Sequence, residues 1–129
     1  MNAITRDEMI FGKYEPEKYS GGCRRFTCDR TLLKKLVENG YADPREQQNE
    51  SPTIKEFIEY TEDFEDAEFE CYAISPKRID CRITVEGIDI KVHEDEYDKV
   101  SYLVETFRWA DEFSFEHIRH DYYLHAWWD

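Results

Sequence analysis

The sequence predicts an α+β fold: an antiparallel β-meander of three strands, extended by a C-terminal strand, with about three helices packed on one face. Three observations predict it. Apolar and polar residues alternate through positions 69–92 and again near the end of the chain, three other stretches carry apolar residues at helical spacing, and turn or capping residues separate these segments.

Residues 1–20 of a single domain spanning 1–129 are expected to fray, with room for a short strand before Gly21-Gly22. "GGCRRFTC" reads as a strand that ends where Asp29 can cap a helix. Leu32, Leu33, Leu36 and Val37 then form one apolar stripe, opposite Lys34 and Lys35, which gives a helix over 30–39 closed by Gly40. Asp43-Pro44 makes a turn, because proline disfavours helical geometry in the residue before it. A second helix over 53–61 starts either at Ser51-Pro52 or at a Thr53–Glu56 capping box, and buries Ile54, Phe57, Ile58 and Thr61.

The acidic run "EDFEDAEFE" leads from that helix into the strands, expected at 68–75, 78–86 and 88–93. Glu86-Gly87 reads as a two-residue hairpin turn that sets Val85 opposite Ile88, Ile83 opposite Ile90 and Cys81 opposite Val92. A turn centred on Pro76 sets Ala73 opposite Ile79, Cys71 opposite Cys81 and Phe69 opposite Ile83, with Glu70 facing Arg82 on the outer side. A slip of one residue would turn both faces inside out. A third helix over 95–108, capped by Glu94 or Asp95, carries the stripe Val100, Leu103, Val104 and Phe107. In the tail, Phe113 and Phe115 alternate, and Tyr122, Leu124, Ala126 and Trp128 stand against Tyr123, His125 and Trp127. That pattern favours a strand or hairpin over a helix.

The apolar share of 40% is low, but eight Phe, nine Tyr and three Trp supply large buried areas per residue. The net charge of −13 disfavours direct binding to nucleic acid or an anionic membrane. It suits solubility or a salty surrounding, and more specifically a surface that fills a basic groove on a partner. No apolar run reaches the ~20 residues of a membrane span and the first residues lack a signal-peptide core, so a cytoplasmic location is expected, with Cys23, Cys28, Cys71 and Cys81 as thiols.

Four constellations could carry chemistry. Cys23 and Cys28 have a spacing found in zinc sites, and Cys71 and Cys81 are expected neighbours, yet apolar-face cysteines behave as small hydrophobes. His117, His120 and His125 gather near Asp121; on a helix His117, Asp121 and His125 would share a face as metal ligands, whereas on strands they diverge. Tyr123 and Trp127 are candidates for an exposed contact row. Gln47, Gln48 and Asn49 are surplus to the helix punctuation around them and offer uncharged hydrogen bonding, to a partner or to their own loop. Neither a glycine-rich phosphate loop nor a nucleophile elbow is present. The chain therefore reads as an interaction module without a cofactor, acting on a protein partner or on itself as homo-oligomer, adaptor or acidic inhibitor. The alternative reading is a metal-binding protein or metalloenzyme using the C-terminal histidines or the cysteines.

Overall fold

A computed structural model describes residues 2–129. Five strands, β1 (Cys23–Asp29), β2 (Ala67–Ile74), β3 (Ile83–His93), β4 (Glu112–Ile118) and β5 (Asp121–Trp127), form one antiparallel sheet in the order β1-β2-β3-β5-β4. Four helices, α1 (Ala3–Phe11), α2 (Arg30–Glu38), α3 (Ile54–Tyr60) and α4 (Val100–Phe107), supply the other half of the α+β fold. The architecture is of the expected class but larger by one strand and one helix: "CRRFTCD" joins the sheet and the tail forms two strands, the expected strands 78–86 and 88–93 are one, and the first residues are helical.

Local chemistry accounts for most boundaries. Asn2 Oδ1 accepts from the amides of Ile4 and Thr5, at 3.0 and 3.2 Å, and starts α1 where a short strand was expected. Asp29 Oδ1 accepts from Leu32 N at 2.8 Å and starts α2, and Gly40 follows it at φ +76°. The capping box forms at α3: Thr53 Oγ1 accepts from Glu56 N, and Glu56 Oε1 accepts from Thr53 N. The expected third helix differs at its start. Glu94–Lys99 is a 3₁₀ segment that leads into α4, and the cap is His93, whose Nδ1 accepts from Asp95 N at 3.2 Å, in place of Glu94 or Asp95.

The main correction concerns the meander. Glu86-Gly87 is not a hairpin turn: β3 runs through it unbroken from Ile83 to His93. Glu70 pairs with Gly87 and Cys71 pairs with Val85, so Glu86 is the extra residue of a β-bulge. A bulge shifts the alternation by one residue, as a two-residue turn does. Ile83 and Val85 before it, and Ile88, Ile90 and Val92 after it, all reach the core. Their partners are Ala73 and Cys71 on one side of the bulge, and Phe69 and Ala67 for Ile88 and Ile90 on the other, while Val92 pairs with Tyr122 of β5. The expected pairs Val85–Ile88, Ile83–Ile90, Cys81–Val92, Phe69–Ile83 and Glu70–Arg82 therefore do not form.

The β2–β3 connection is also longer than a turn at Pro76. Residues 75–82 make successive turns, with Arg78 N donating to Ser75 O and Cys81 N to Arg78 O. Arg78 and Arg82 both pair with Asp80, at 2.7 and 3.0 Å, and Ile79 is 107% exposed. Strand pairing begins at Ile83, so neither Ala73–Ile79 nor Cys71–Cys81 is a cross-strand pair. The tail follows its alternation: Leu124, Ala126 and Trp128 are buried, and β4 and β5 are joined by Arg119-His120, with Arg119 at φ +56°.

One core lies between the helices and a single face of the sheet. Leu33 and Leu36 of α2, Ile54 and Phe57 of α3, and Val100, Leu103 and Phe107 of α4 meet the inward residues of β2, β3 and β5. Phe57 sits at its centre, edge-on to Phe69 at 5.9 Å and to Trp128 at 5.5 Å, and stacked on Phe107 at 6.2 Å. Helix α1 reaches the same layer through Met9, Ile10 and the Phe11–Phe26 edge contact. It is also held by charge. Arg6 and Asp7 are 0% exposed and pair at 2.9 Å, Arg6 Nη2 donates to Tyr19 Oη and to Ile74 O, and Tyr19 Oη donates to Asp7 Oδ2 at 2.6 Å. Burial, and then the hydrogen bond to Asp7, push the Tyr19 phenol up.

Replacing Arg6 alone strands Asp7 as a buried unpaired charge, so Arg6→Met is expected to cost about 3–5 kcal/mol in urea unfolding, and Arg6→Met/Asp7→Leu clearly less. At the bulge, a Cβ on Gly87 would lie 3.1 Å from Ala126 O and 3.1 Å from Trp127 Cδ1. The carbonyl belongs to the β5 backbone and cannot easily withdraw, so Gly87→Val is expected to cost about 1–3 kcal/mol in the same measurement.

Candidate functional site

The sheet face turned away from the helices is the place where side chains with binding chemistry collect. Alternation sends Glu68 and Glu70 of β2, Asp89 and Lys91 of β3, Tyr123, His125 and Trp127 of β5, and Glu112, Ser114 and Glu116 of β4 to that side. Register then sets them in rows. Glu70, Gly87, Trp127 and Glu112 lie across one row, and Glu68, Asp89, His125 and Ser114 across the next. The loop between α2 and α3 covers one end of this face, where Tyr72 Oη donates to Gln48 Oε1 at 2.7 Å and Arg82 pairs with Glu46. Beside Tyr72, Glu86 is buried against Arg25; burial pushes its carboxyl up, and the Arg25 charge opposes that shift.

His125 is the centre of the open part. Its Nδ1 lies 2.7 Å from Asp89 Oδ1 and 3.5 Å from Glu70 Oε2, and its Nε2 lies 3.8 Å from Glu112 Oε2. Burial alone would lower its pKa, but the Asp89 hydrogen bond and the charges of Asp89, Glu70 and Glu112 outweigh this and raise it. Burial and then the Asp89 charge push the Glu70 carboxyl up. Glu70 Oε2 is shielded from solvent and has no hydrogen-bond partner. One ligand atom from each of Glu70, Asp89 and His125 can be chosen so that all lie within 4.8 Å of one another. Beside them a shallow depression of ≈ 410 Å³ extends past Tyr123, Lys91 and Glu116.

The residues singled out in the sequence fall into three groups. Tyr123 and Trp127 both lie on the open face of the sheet. Tyr123 is 41% exposed between Lys91 and Glu116, whereas the Trp127 ring lies over Gly87, where a side chain would collide with it. Gln47, Gln48 and Asn49 all bond to groups of the chain itself, although Gln47 and Asn49 are exposed. Gln47 Nε2 donates to Asn49 O and Ser51 O, Gln48 accepts from Tyr72, and Asn49, at φ +50°, donates to Asp129 O.

The three C-terminal histidines do not converge. His117 and His120 share Glu94, at 3.3 and 3.0 Å, and His117 stacks on Tyr122 at 4.3 Å, on the side of the sheet opposite His125. The cysteines do not form the expected pairs either. Cys23 and Cys28 are five positions apart on one strand and therefore face opposite ways, whereas Cys28 and Cys71 meet in the core with sulfurs 3.9 Å apart. Burial pushes the Cys71 thiol well up. Cys81 lies by the buried guanidinium, 3.1 Å from Arg6 Nη1.

Sequence reasoning missed Glu70, Asp89 and Glu112 as partners of His125. The available signal was parity: Asp89 interrupts Ile88 and Ile90, and Glu70 interrupts Phe69 and Cys71, so both belong to the outer side. No protein-family model, no curated protein and no solved structure matches the chain.

The Glu94 pair gives a pH test. His120 and then His117 hold the Glu94 carboxyl below its usual range, and Glu94 raises the pKa of His120. Stability from the raised imidazole is fully present below its ordinary pKa and is lost as pH rises through the raised value. Stability from the lowered carboxyl is present above its ordinary pKa and is lost as pH falls through the lowered value. In an NMR titration the His120 midpoint is expected above the ordinary 6.5, and to return toward it in Glu94→Gln.

Proposed function

We propose that this chain is a protein-interaction module that binds a positively charged segment of a partner through the open face of its sheet. The observation that supports it is the division of the sheet: the helices and core occupy one side, and the other presents Glu68, Glu70, Asp89, Glu112 and Glu116 around the exposed ring of Tyr123. Lys91 is the lysine set among those acids, and the His125 imidazole lies between Asp89 and Glu112. A partner of opposite charge gains steering and orientation from such a face, and the aromatic ring adds contact area at little cost in conformational entropy. Two copies joined through this face would bring like charges together, which favours a different, basic chain over self-association. The fold also suits the role, since a sheet backed by a packed core holds its outward side chains in fixed register.

A photo-crosslinking residue placed at Tyr123 tests this in the native cellular setting, with the same residue at the helix position Lys35 as control. The expected result is an adduct at position 123 with a protein of basic composition, absent from position 35. When the crosslinking is repeated in cell lysate, the yield should fall as added salt shortens the screening length from ~10 to ~3 Å. It should also be lost in Glu68→Lys/Glu116→Lys. Equal adducts at both positions, or adducts with the chain itself alone, would overturn the reading.

A further inference from the structure

We propose that Glu70, Asp89 and His125 form a binding site for a divalent transition-metal cation, with Glu112 as the group that orients the imidazole. Three adjacent strands, β2, β3 and β5, supply one donor each, so the site is fixed by sheet register rather than by a loop. The donor atoms lie within 4.8 Å of one another, close enough to share one ion after small side-chain rotations. A nitrogen with two carboxylate oxygens suits zinc and the other first-row divalent cations. Magnesium and calcium, by contrast, favour all-oxygen sets. The outer side of the cluster is half exposed, which leaves water to complete the coordination.

Two further observations point to a cation rather than to a self-contained ion pair. The first is Glu70. When His125 Nδ1 donates to Asp89 at 2.7 Å, no N–H is left for the solvent-shielded Oε2 of an ionised Glu70 at 3.5 Å, whose other recourse is a proton shared with Asp89. An unsatisfied carboxylate oxygen is costly, and a metal ion bonds to several oxygens at once where a single N–H cannot. The second is Glu112. Metal-bound imidazoles nearly always direct their other ring nitrogen to a carboxylate or carbonyl, and Glu112 Oε2 stands 3.8 Å from His125 Nε2 on the side away from Asp89 and Glu70. The four groups thus have the order carboxylate, imidazole, shared centre. The inference goes beyond the partner-binding face and stands or falls separately from it, because its test contains no protein partner.

The test is calorimetric titration of the untagged, chelator-treated full chain with Zn²⁺, read together with the side-chain nitrogen resonances of His125. One ion per chain is expected, with a shift of His125 Nδ1. Affinity should fall more than tenfold in Asp89→Asn and about tenfold in Glu112→Gln. It should be unchanged in Glu94→Gln, which disrupts only the exposed His117–His120 pair. All four groups lie on a solvent-facing side of the sheet, and unchanged circular dichroism verifies each variant's fold. The wild-type histidine spectrum needs no variant at all. Absence of saturable binding, an unshifted His125 at saturation, undiminished affinity in Asp89→Asn, or loss of binding in Glu94→Gln would each overturn the proposal.

Discussion

The extra residue at Glu86 is the constraint on which the sheet depends. Without it, the two apolar runs of β3 would point to opposite faces, because Ile83 and Val85 are odd positions whereas Ile88, Ile90 and Val92 are even. The bulge absorbs one residue and returns both runs to the same side. A single long strand can then serve as the centre of the sheet, pairing with β2 along one edge and β5 along the other. The same kink sends both Glu86 and Gly87 outward. Gly87 leaves space for the Trp127 ring and the Glu70 carboxylate, and Glu86 finds Arg25. Core composition and outer-face geometry are therefore settled at one point in the backbone.

This is also where reading the chain reached its limit. A change of phase between Val85 and Ile88 was legible, but a hairpin turn and a bulge produce the same change, and Glu-Gly suits either. The choice rests on pairings between distant segments: β1 with β2 and β3 with β5. Local pattern says nothing about them. Features that depend on near neighbours were legible in detail. The Asp29 cap, the Thr53–Glu56 capping box and the inward set Leu124, Ala126 and Trp128 all follow from residues within a few positions of each other. The His125 cluster is of the other kind. Parity places each of its members on the outer side, but only strand order makes Asp89 and Glu112 neighbours of the same imidazole. The Arg6–Asp7 pair hid for a further reason, since adjacent opposite charges on a short helix ordinarily face water, and here Tyr19 and the Ile74 carbonyl enclose them.

Charge and aromatic content divide the work between the two faces. The inner layer compensates for a modest apolar share with large rings: Phe57, Phe69, Phe107 and Trp128 meet at the junction of α3, α4, β2 and the end of β5. The outer layer holds acids close together on a rigid frame, where mutual repulsion is offset in part by Lys91 and Arg25 and by the hydrogen bond between His125 and Asp89. Glu70 and Glu86 both have raised proton affinity, as expected for carboxylates held among like charges or out of water.

Strand order also sets the tempo of assembly. Among the five strands only β4 and β5 are joined by a two-residue connection, a closure on a scale of ~1–10 μs for hairpins in general. Residues such as Cys23 and Ile74, or Asp29 and Glu68, must meet across long intervening stretches of chain, and such non-local contacts slow folding far more than they alter stability. Arg119 adds a small brake even to the fast step, since its left-handed backbone is a conformation that L-residues with a side chain rarely sample before the turn forms. The β4–β5 hairpin is thus the most local pairing of the sheet, whereas β1–β2 and β3–β5 both join segments far apart in the chain.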